Sequence, residues 1–262
     1  MKKWFFLHNH EPLKGSWNMA VDDYLFGSLT EKPQTVLRFY TWKRPAVSLG
    51  YSQRIERVLD ADFCRRNNID IVRRITGGKL VLHFQEVTYS LCSSDSDLFT
   101  NTLKGSYRMI SEALIKGFRK MGIQASLSTP PPQAYVRGNL PCFSYPAENE
   151  IEVGGRKIVG SAQKREGKKF LQHGSIPLVN EEKRLRSISK LKDRPAKVRM
   201  VSISEALGRN LDFNQAVPFL SWGMKEHFRV KLTPLEFSAS QLEEIKALEK
   251  SRHDNPEWIR LR

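Results

Sequence analysis

Apolar residues recur along the chain with two alternating periods. Between residues 18 and 29, Val21, Leu25 and Ser28 fall on one helical face, and Ser16 stands where a capping side chain belongs. Residues 35–42 alternate and are rich in aromatic and β-branched side chains, which predicts a strand that stops before Pro45. Residues 46–49 predict a short strand ended by Gly50. Helical spacing returns over 55–67 through Ile55, Val58, Leu59 and Phe63, with Asn67-Asn68 as the stop. Residues 69–73 and 87–92 predict strands, separated by the break Ile75-Thr76-Gly77-Gly78. The clearest amphipathic helix is 107–121, where Ile110, Ala113, Leu114 and Phe118 share a face and Gly122 ends it.

The pattern lapses over 128–146, where Pro130-Pro131-Pro132, Gly138, Pro141 and Pro146 forbid regular structure. A loop of that length inside a compact domain is commonly functional. Residues 150–153, 157–163 and 170–177 then predict three strands in an antiparallel meander, turned at Gly154-Gly155 and at 165–168. Beyond Val179 the spacing is helical, around 202–207, 213–228 and 240–250. The fold class this predicts is α+β: a mixed, largely antiparallel sheet flanked by helices, with a helical C-terminal part. We read 1–262 as one domain, in which 180–262 form a mostly helical extension.

Composition narrows the function classes only partly. The 40% hydrophobic content supports a packed core and argues against disorder. No stretch approaches the roughly 20 apolar residues of a membrane span, and polar residues from His8 onward interrupt any secretory segment, so a cytoplasmic protein with no membrane partner is expected. Three cysteines, Cys64, Cys92 and Cys142, are too few and too far apart for a disulfide framework or a zinc site. Forty-three Lys and Arg against 28 Asp and Glu give a formal charge of +15, which favours encounter with acidic partners without naming them. Residues 183–199 hold eight Lys or Arg and one acid, Asp193, either as a docking face or as a solvated basic segment.

Three strings carry candidate chemistry. In Arg73-Arg74-Ile75-Thr76-Gly77-Gly78, with His83 nearby, the glycines allow close backbone approach to a ligand and the arginines fork toward an anion; a tight turn with solvated charges is the plainer alternative. The spacing matches neither a Walker loop nor a dinucleotide fingerprint. In Lys157-Ile158-Val159-Gly160-Ser161-Ala162-Gln163, strand alternation puts Lys157, Val159 and Ser161 on one face, with Lys157 either turned inward toward an anion or carbonyl, or in water on an edge strand. Cys142 sits in the Pro/Gly-rich loop, where a thiol near lysines is a reasonable nucleophile, whereas Cys64 and Cys92 read as small buried hydrophobes. His83 and His173 have no metal spacing and read as hydrogen-bonding scaffold; His8, His10, His227 and His253 show nothing specific.

Taken in order, Asn18-Met19-Ala20-x-Asp22, Arg73-Arg74-x-x-Gly77-Gly78…His83, Gly155-x-Lys157-x-x-Gly160-Ser161-Ala162-Gln163 and His173-Gly174-Ser175 resemble the lipoate–protein ligase and octanoyltransferase family. The resemblance implies the α+β catalytic fold shared with biotin ligases and related to class II tRNA synthetases. Cys142-Phe143-x-x-Pro146, followed by Glu150 and Lys157, resembles the cysteine-containing octanoyltransferase branch. That branch implies octanoyl transfer from acyl carrier protein through Cys142 to a lysine of a lipoyl-domain protein, such as the glycine cleavage H protein or a 2-oxoacid dehydrogenase E2. Lys157 would assist, and Arg73, Arg74, Gly77, Gly78, His83, Gly160, Ser161 and His173 would bind substrate. No cofactor is then implied; ATP and Mg enter only for an ATP-dependent lipoate ligase, and a lipoyl amidotransferase is a third option within the family. Lys79-Leu80 departs from the small residues more usual in the family's glycine loop, which bears on substrate choice. A nucleic-acid-binding module would account for the charge, but the usual motifs are missing.

Overall fold

A computed structural model describes residues 1–128, 149–190 and 200–261. Chain order is β1 (Lys2–His8), α1 (Gly15–Gly27), β2 (Thr35–Tyr40), β3 (Ala46–Leu49), α2 (Ile55–Val58), α3 (Ala61–Arg66), β4 (Asp70–Arg73), β5 (Val81–His83) and β6 (Glu86–Ser93). Then come α4 (Leu103–Met121), β7 (Ser126–Leu127), β8 (Ile151–Val153), β9 (Arg156–Lys157), β10 (Gly160–Glu166) and β11 (Lys169–Pro177). The chain ends through α5 (Glu182–Ile188), α6 (Ile203–Leu207), α7 (Phe213–Phe228), β12 (Val230–Pro234), α8 (Ala239–Leu248) and α9 (Pro256–Ile259).

Local signals account for many boundaries. Thr102 caps α4 by accepting from the Gly105 amide, and Gly122, at φ 102°, closes it in the left-handed region. Ser202/Glu205, Asp212/Gln215 and Ser238/Gln241 form reciprocal capping boxes at α6, α7 and α8. The single helix expected over 55–67 is two short ones, because Leu59 and Asp60 turn out of helical conformation and Asp60 recaps at the Phe63 amide. Nor does Ser16 cap α1. That helix already begins at Gly15, and Ser16 Oγ donates to Glu249 Oε1 at 2.6 Å. The loop read over 128–146 falls mainly outside the described residues, as does the basic stretch 191–199.

The main sheet runs β10-β11-β6-β2-β1-β12, antiparallel from β10 to β2 and parallel from β2 through β1 to β12. The expected mixed, largely antiparallel α+β architecture is therefore present, but β1 and β12 were not foreseen as strands. The C-terminal part is consequently not purely helical: Val230–Pro234 supplies the edge of the main sheet. A second sheet, β4-β3-β5, and a small third one, β7-β8-β9, complete the β structure of the described residues.

Strand alternation divides the main sheet into two unlike faces. On one, Leu37, Phe39, Val87, Tyr89 and Leu91 join Trp4 in packing beneath α4 and α7. On the other, Val36, Cys92 and Leu171 pack with Val21 and Leu25 of α1 and with Ile245 of α8. Farther along that second face the inward residues turn polar: Arg38, Thr88, Ser90, His173 and Ser175 are all buried.

Helices α4 and α7 cross at a glycine pair. A Cβ on Gly223 would lie 2.4 Å from the Ala113 carbonyl oxygen and 2.5 Å from the Gly117 nitrogen, so the helices meet backbone to backbone. Gly223→Ala is expected to destabilise the protein by about 1–3 kcal/mol, because neither backbone can yield without parting the helices. Alanine's helix-propensity advantage of about 1 kcal/mol does not offset that. A urea midpoint unchanged or raised in this variant would refute the close-packing account.

Candidate active site

The polar stretch of the main sheet forms the floor of a cavity. In register, Gly160, Ser175, Thr88 and Tyr40 make one row across β10, β11, β6 and β2, and Ala162, His173, Ser90 and Arg38 make the next. Helix α1 lies against this floor and places Asp22 into it. Asp22 and Arg38 are 1% and 0% exposed and meet at 2.8 Å. Tyr40 Oη, Ser90 Oγ and His173 Nδ1 also donate to the Asp22 carboxylate, at 2.9, 2.8 and 3.1 Å. Arg38 spends its other N–H groups on Asn9 and Asn18, and its guanidinium lies 3.8 Å from the centre of the Tyr40 ring.

Burial pushes the Asp22 carboxyl upward, but the His173 hydrogen bond and the Arg38 charge outweigh it and hold the group below its ordinary range. Burial lowers His173 despite the Asp22 contact, so the neutral ring donates from Nδ1 and accepts at Nε2 from the Thr76 hydroxyl at 2.7 Å. The Tyr40 phenol is pushed well up by burial and by the Asp22 charge, and it remains a donor. Tyr89, on the sheet's other face, is pushed up to about 12 by burial and shares a 2.7 Å hydrogen bond with Ser161.

A second polar cluster closes the other end of the floor. Glu86 accepts from His83 Nδ1 at 2.8 Å, from Trp42 Nε1 at 3.2 Å, and from the Thr88 and Ser175 hydroxyls. Behind His83 the chain of bonds continues: Arg74 donates to Ser48 Oγ at 2.9 Å, and Ser48 Oγ and His83 Nε2 share a hydrogen bond at 2.7 Å. Arg74 also donates to the Gly77 and Lys79 carbonyls at 3.0 and 2.7 Å, so it shapes the glycine loop from within. That loop lies directly on Gly50, where a Cβ would come within 2.0 Å of the Gly78 carbonyl oxygen. Gly78 itself takes φ 94°, a conformation that favours glycine.

Between floor, glycine loop and α1 lies about 390 Å³ of empty space, lined by Met19, Trp42, Gly78, Val81, Gly160 and Ser161 among others. Because the polar groups beneath bond one another, the surface left facing the cavity is mostly apolar. Of the residues singled out from sequence, Arg74, Gly78, His83, Gly160, Ser161 and His173 all line it. Gly77 belongs to the same loop.

Two candidates have other positions. Arg73 does not line the cavity: it donates to the carbonyls of Gly50, Tyr51 and Gln53 and to those of Trp258 and Ile259, tying α9 to the loop after β3. Lys157 is 1% exposed, so it is not an edge residue in water; its Nζ meets Glu150 Oε1 at 2.5 Å across the β8–β9 hairpin. It does not share a strand with Ser161 either, since β9 ends at Lys157 and β10 starts at Gly160. Cys142 lies outside the described residues. Cys64 and Cys92 are fully buried. Burial, with the Asp60 charge adding to it, pushes the Cys64 thiol up to about 11, and burial pushes Cys92 well up, so neither forms a thiolate readily. Among the described residues no group of three or more metal-ligating side chains converges, and no helix is long and apolar enough to cross a membrane.

Comparison with known proteins places this arrangement. Residues 14–224 match the model of the lipoyl protein ligase A/B catalytic domain. The chain belongs to that family. The octanoyltransferase LipM of Bacillus anthracis is 35% identical to it, over 98% of both chains, which makes the protein an acyltransferase of the family. Among solved structures, lipoate-protein ligase A bound with ATP superposes with a TM-score of 0.84 at 20% identity, covering 99% of each chain. A bi-partite lipoate protein ligase from Thermoplasma acidophilum, described together with its E2 lipoyl domain as an archaeal lipoylation system, gives 0.81 at 21% identity, covering 100% of this chain and 98% of that one. At those identities the two structures share the fold alone.

Family membership leaves several residues to be found by structure. Trp42, Ser48, Glu86, Thr88 and Ser175 complete the site and were not selected from sequence. The available signal was the set of polar residues at alternate positions of strands otherwise rich in β-branched and aromatic residues: Glu86, Thr88 and Ser90 on β6, His173 and Ser175 on β11.

Two outcomes are expected. Asp22→Asn should cost about 3–5 kcal/mol at neutral pH, because it leaves Arg38 buried without its counter-charge. Asp22 is held low in the folded state, so its contribution is complete above the unfolded value of about 3.9 and fades as pH falls through the folded one. The stability gap between wild type and variant should therefore narrow on acidification below about pH 4; denaturant titrations showing a constant gap would contradict this. Gly50→Ala should displace the glycine loop and reduce acyl transfer on the order of a hundredfold, with the far-UV circular dichroism spectrum retained. A rate within twofold or so of wild type would show that the Gly50–Gly78 approach does not position the reaction.

Proposed function

We propose that the protein is an octanoyltransferase of protein lipoylation, acting in the cytoplasm. It would take octanoyl from acyl carrier protein onto Cys142 and pass it to the ε-amine of a lipoyl-domain lysine, on the glycine cleavage H protein or a 2-oxoacid dehydrogenase E2. The observation that carries this is the 35% identity to an octanoyltransferase along essentially the whole chain. A cavity with a mostly apolar surface beneath a glycine loop supports it as a place for the acyl tail. The lipoyl-domain acceptor is also in keeping with the Thermoplasma ligase, which is described with its E2 lipoyl domain as one lipoylation system. Acyl carrier proteins and lipoyl domains are typically acidic, and the formal charge of +15 suits such partners.

Each step conserves its groups. The Cys142 thiolate attacks the octanoyl thioester carbonyl; the new C–S bond forms as the carrier's C–S bond breaks, and the carrier leaves as a thiol with the proton that Cys142 released. The acceptor's neutral lysine amine then attacks the acyl-cysteine, forming the amide C–N bond as the C–S bond breaks, and the amine's proton returns to Cys142. The first step exchanges one thioester for another and the second forms the more stable amide, so no nucleotide or metal is required. Lys157, desolvated beside Glu150, is assigned to favour the thiolate and the carbonyl oxyanion, with Glu150 as its counter-charge.

Intact mass after incubation with octanoyl carrier protein should show one octanoyl adduct, and Cys142→Ser should abolish it. Absence of the adduct in the wild type would refute the thioester route. Lipoylation of a lipoyl domain that requires ATP and survives Cys142→Ser would assign the protein to ligation instead.

A further inference from the structure

The cavity above the polar floor has a neighbour on the same face of the sheet. Thr88 pairs with Ser175 and, two residues along, Glu86 pairs with Pro177, so all four side chains project to one side. Thr88 and Ser175 line the first cavity. Glu86 and Pro177 line the second, about 310 Å³ of space whose other walls include Phe84, Leu185 and Met200. What separates the two is the Glu86 carboxylate with its four donors, His83, Trp42, Thr88 and Ser175, all buried. The Trp42 and His83 rings stack beside it, with centroids 4.0 Å apart and planes 16° from parallel.

We propose that Glu86 is the residue that sets acyl chain length: its hydrogen-bonded carboxylate is the end wall of the acyl pocket and confines the substrate to medium chains. The proposal rests on reading the first cavity as the acyl site. A growing apolar tail gains about fourfold in affinity for each methylene it buries. To pass Glu86 it must part a buried carboxylate from its donors and leave the imidazole and hydroxyl groups unsatisfied, while the Trp42 indole keeps its 2.8 Å bond to Thr88, a penalty larger than a few methylenes return. The apolar space beyond is thus closed by a hydrogen-bonded side chain. Truncating that side chain would join the two cavities.

Binding of free hexanoate, octanoate, decanoate and dodecanoate, followed by calorimetry, tests this without any acyl transfer. A missing Cys142 adduct would therefore refute the thioester route while leaving the wall to be judged on its own data. In the wild type, affinity should climb about fourfold per methylene up to octanoate and then level or fall. In Glu86→Ala the climb should continue to dodecanoate, while Glu86→Gln, which keeps the wall's shape, should hold the cut-off at octanoate. Ser175→Leu, projecting into the first cavity, should move the cut-off below octanoate and serves if Glu86→Ala does not fold. The proposal is overturned if the wild type climbs steadily to dodecanoate, if it binds none of the acids, or if folded Glu86→Ala keeps the octanoate cut-off. With Glu86→Ala unfolded, an unmoved cut-off in Ser175→Leu overturns it.

Discussion

Arg38 enters the middle of the main sheet where no water can solvate it, and it is tolerable there only because Asp22 reaches it from α1. That pairing decides how α1 sits on the sheet. With α1 in place, the remaining oxygen capacity of Asp22 draws in Tyr40, Ser90 and His173, and His173 in turn reaches Thr76 just before the two glycines. A single buried ion pair therefore connects three strands, one helix and the loop that roofs the cavity. The Glu86 cluster repeats the arrangement at the other end with a carboxylate and four donors. The interior is polar in composition, yet its polar groups are used internally, which is why a cavity over such a floor can still accept an apolar tail.

The roof is held by backbone contacts that only particular residues permit. Gly50 lets the glycine loop descend onto β3, and Arg74 grips the loop's carbonyls from below. Arg73, its neighbour in sequence, points away and takes carbonyls from both the Gly50–Gln53 turn and α9. The C-terminal residues are thereby part of the site's support. After α8 the helix widens into a π-helical turn, Glu249–His253, whose Glu249, Arg252 and His253 reach Ser16 and Asp23 of α1. Asp22 enters the cavity's polar floor and Asp23 faces this clamp, so consecutive residues of one helix join the site to the end of the chain.

Much of the frame was legible from residue pattern, and the exceptions share a cause. Helix α4, the short strand β3 and the helices from α6 to α8 follow from periodicity, caps and glycine stops, all of which act within a few residues. Strands β1 and β12 were not legible, because only Trp4 and Leu7 of β1 are buried and its partners lie far off in sequence. The Arg73-Arg74 pair read as one anion-binding unit, but adjacent residues on a strand face opposite sides, and the two arginines do different work. Lys157 could be read as solvated or inward, since its counter-charge, Glu150, is brought to it by a hairpin and not by sequence adjacency. His253 offered no signal, although it is completely buried against Asp23.

The sequence by itself determined which segments become helices and strands where local rules suffice, and its ordered motifs already pointed to the family. Whether each charge is buried or solvated, and beside what, was decided only by the tertiary structure. A carboxylate such as Glu86 or Asp22 carries no local mark of its environment. Its energetics depend on donors delivered by other strands and helices, and those donors become neighbours only when the sheet assembles.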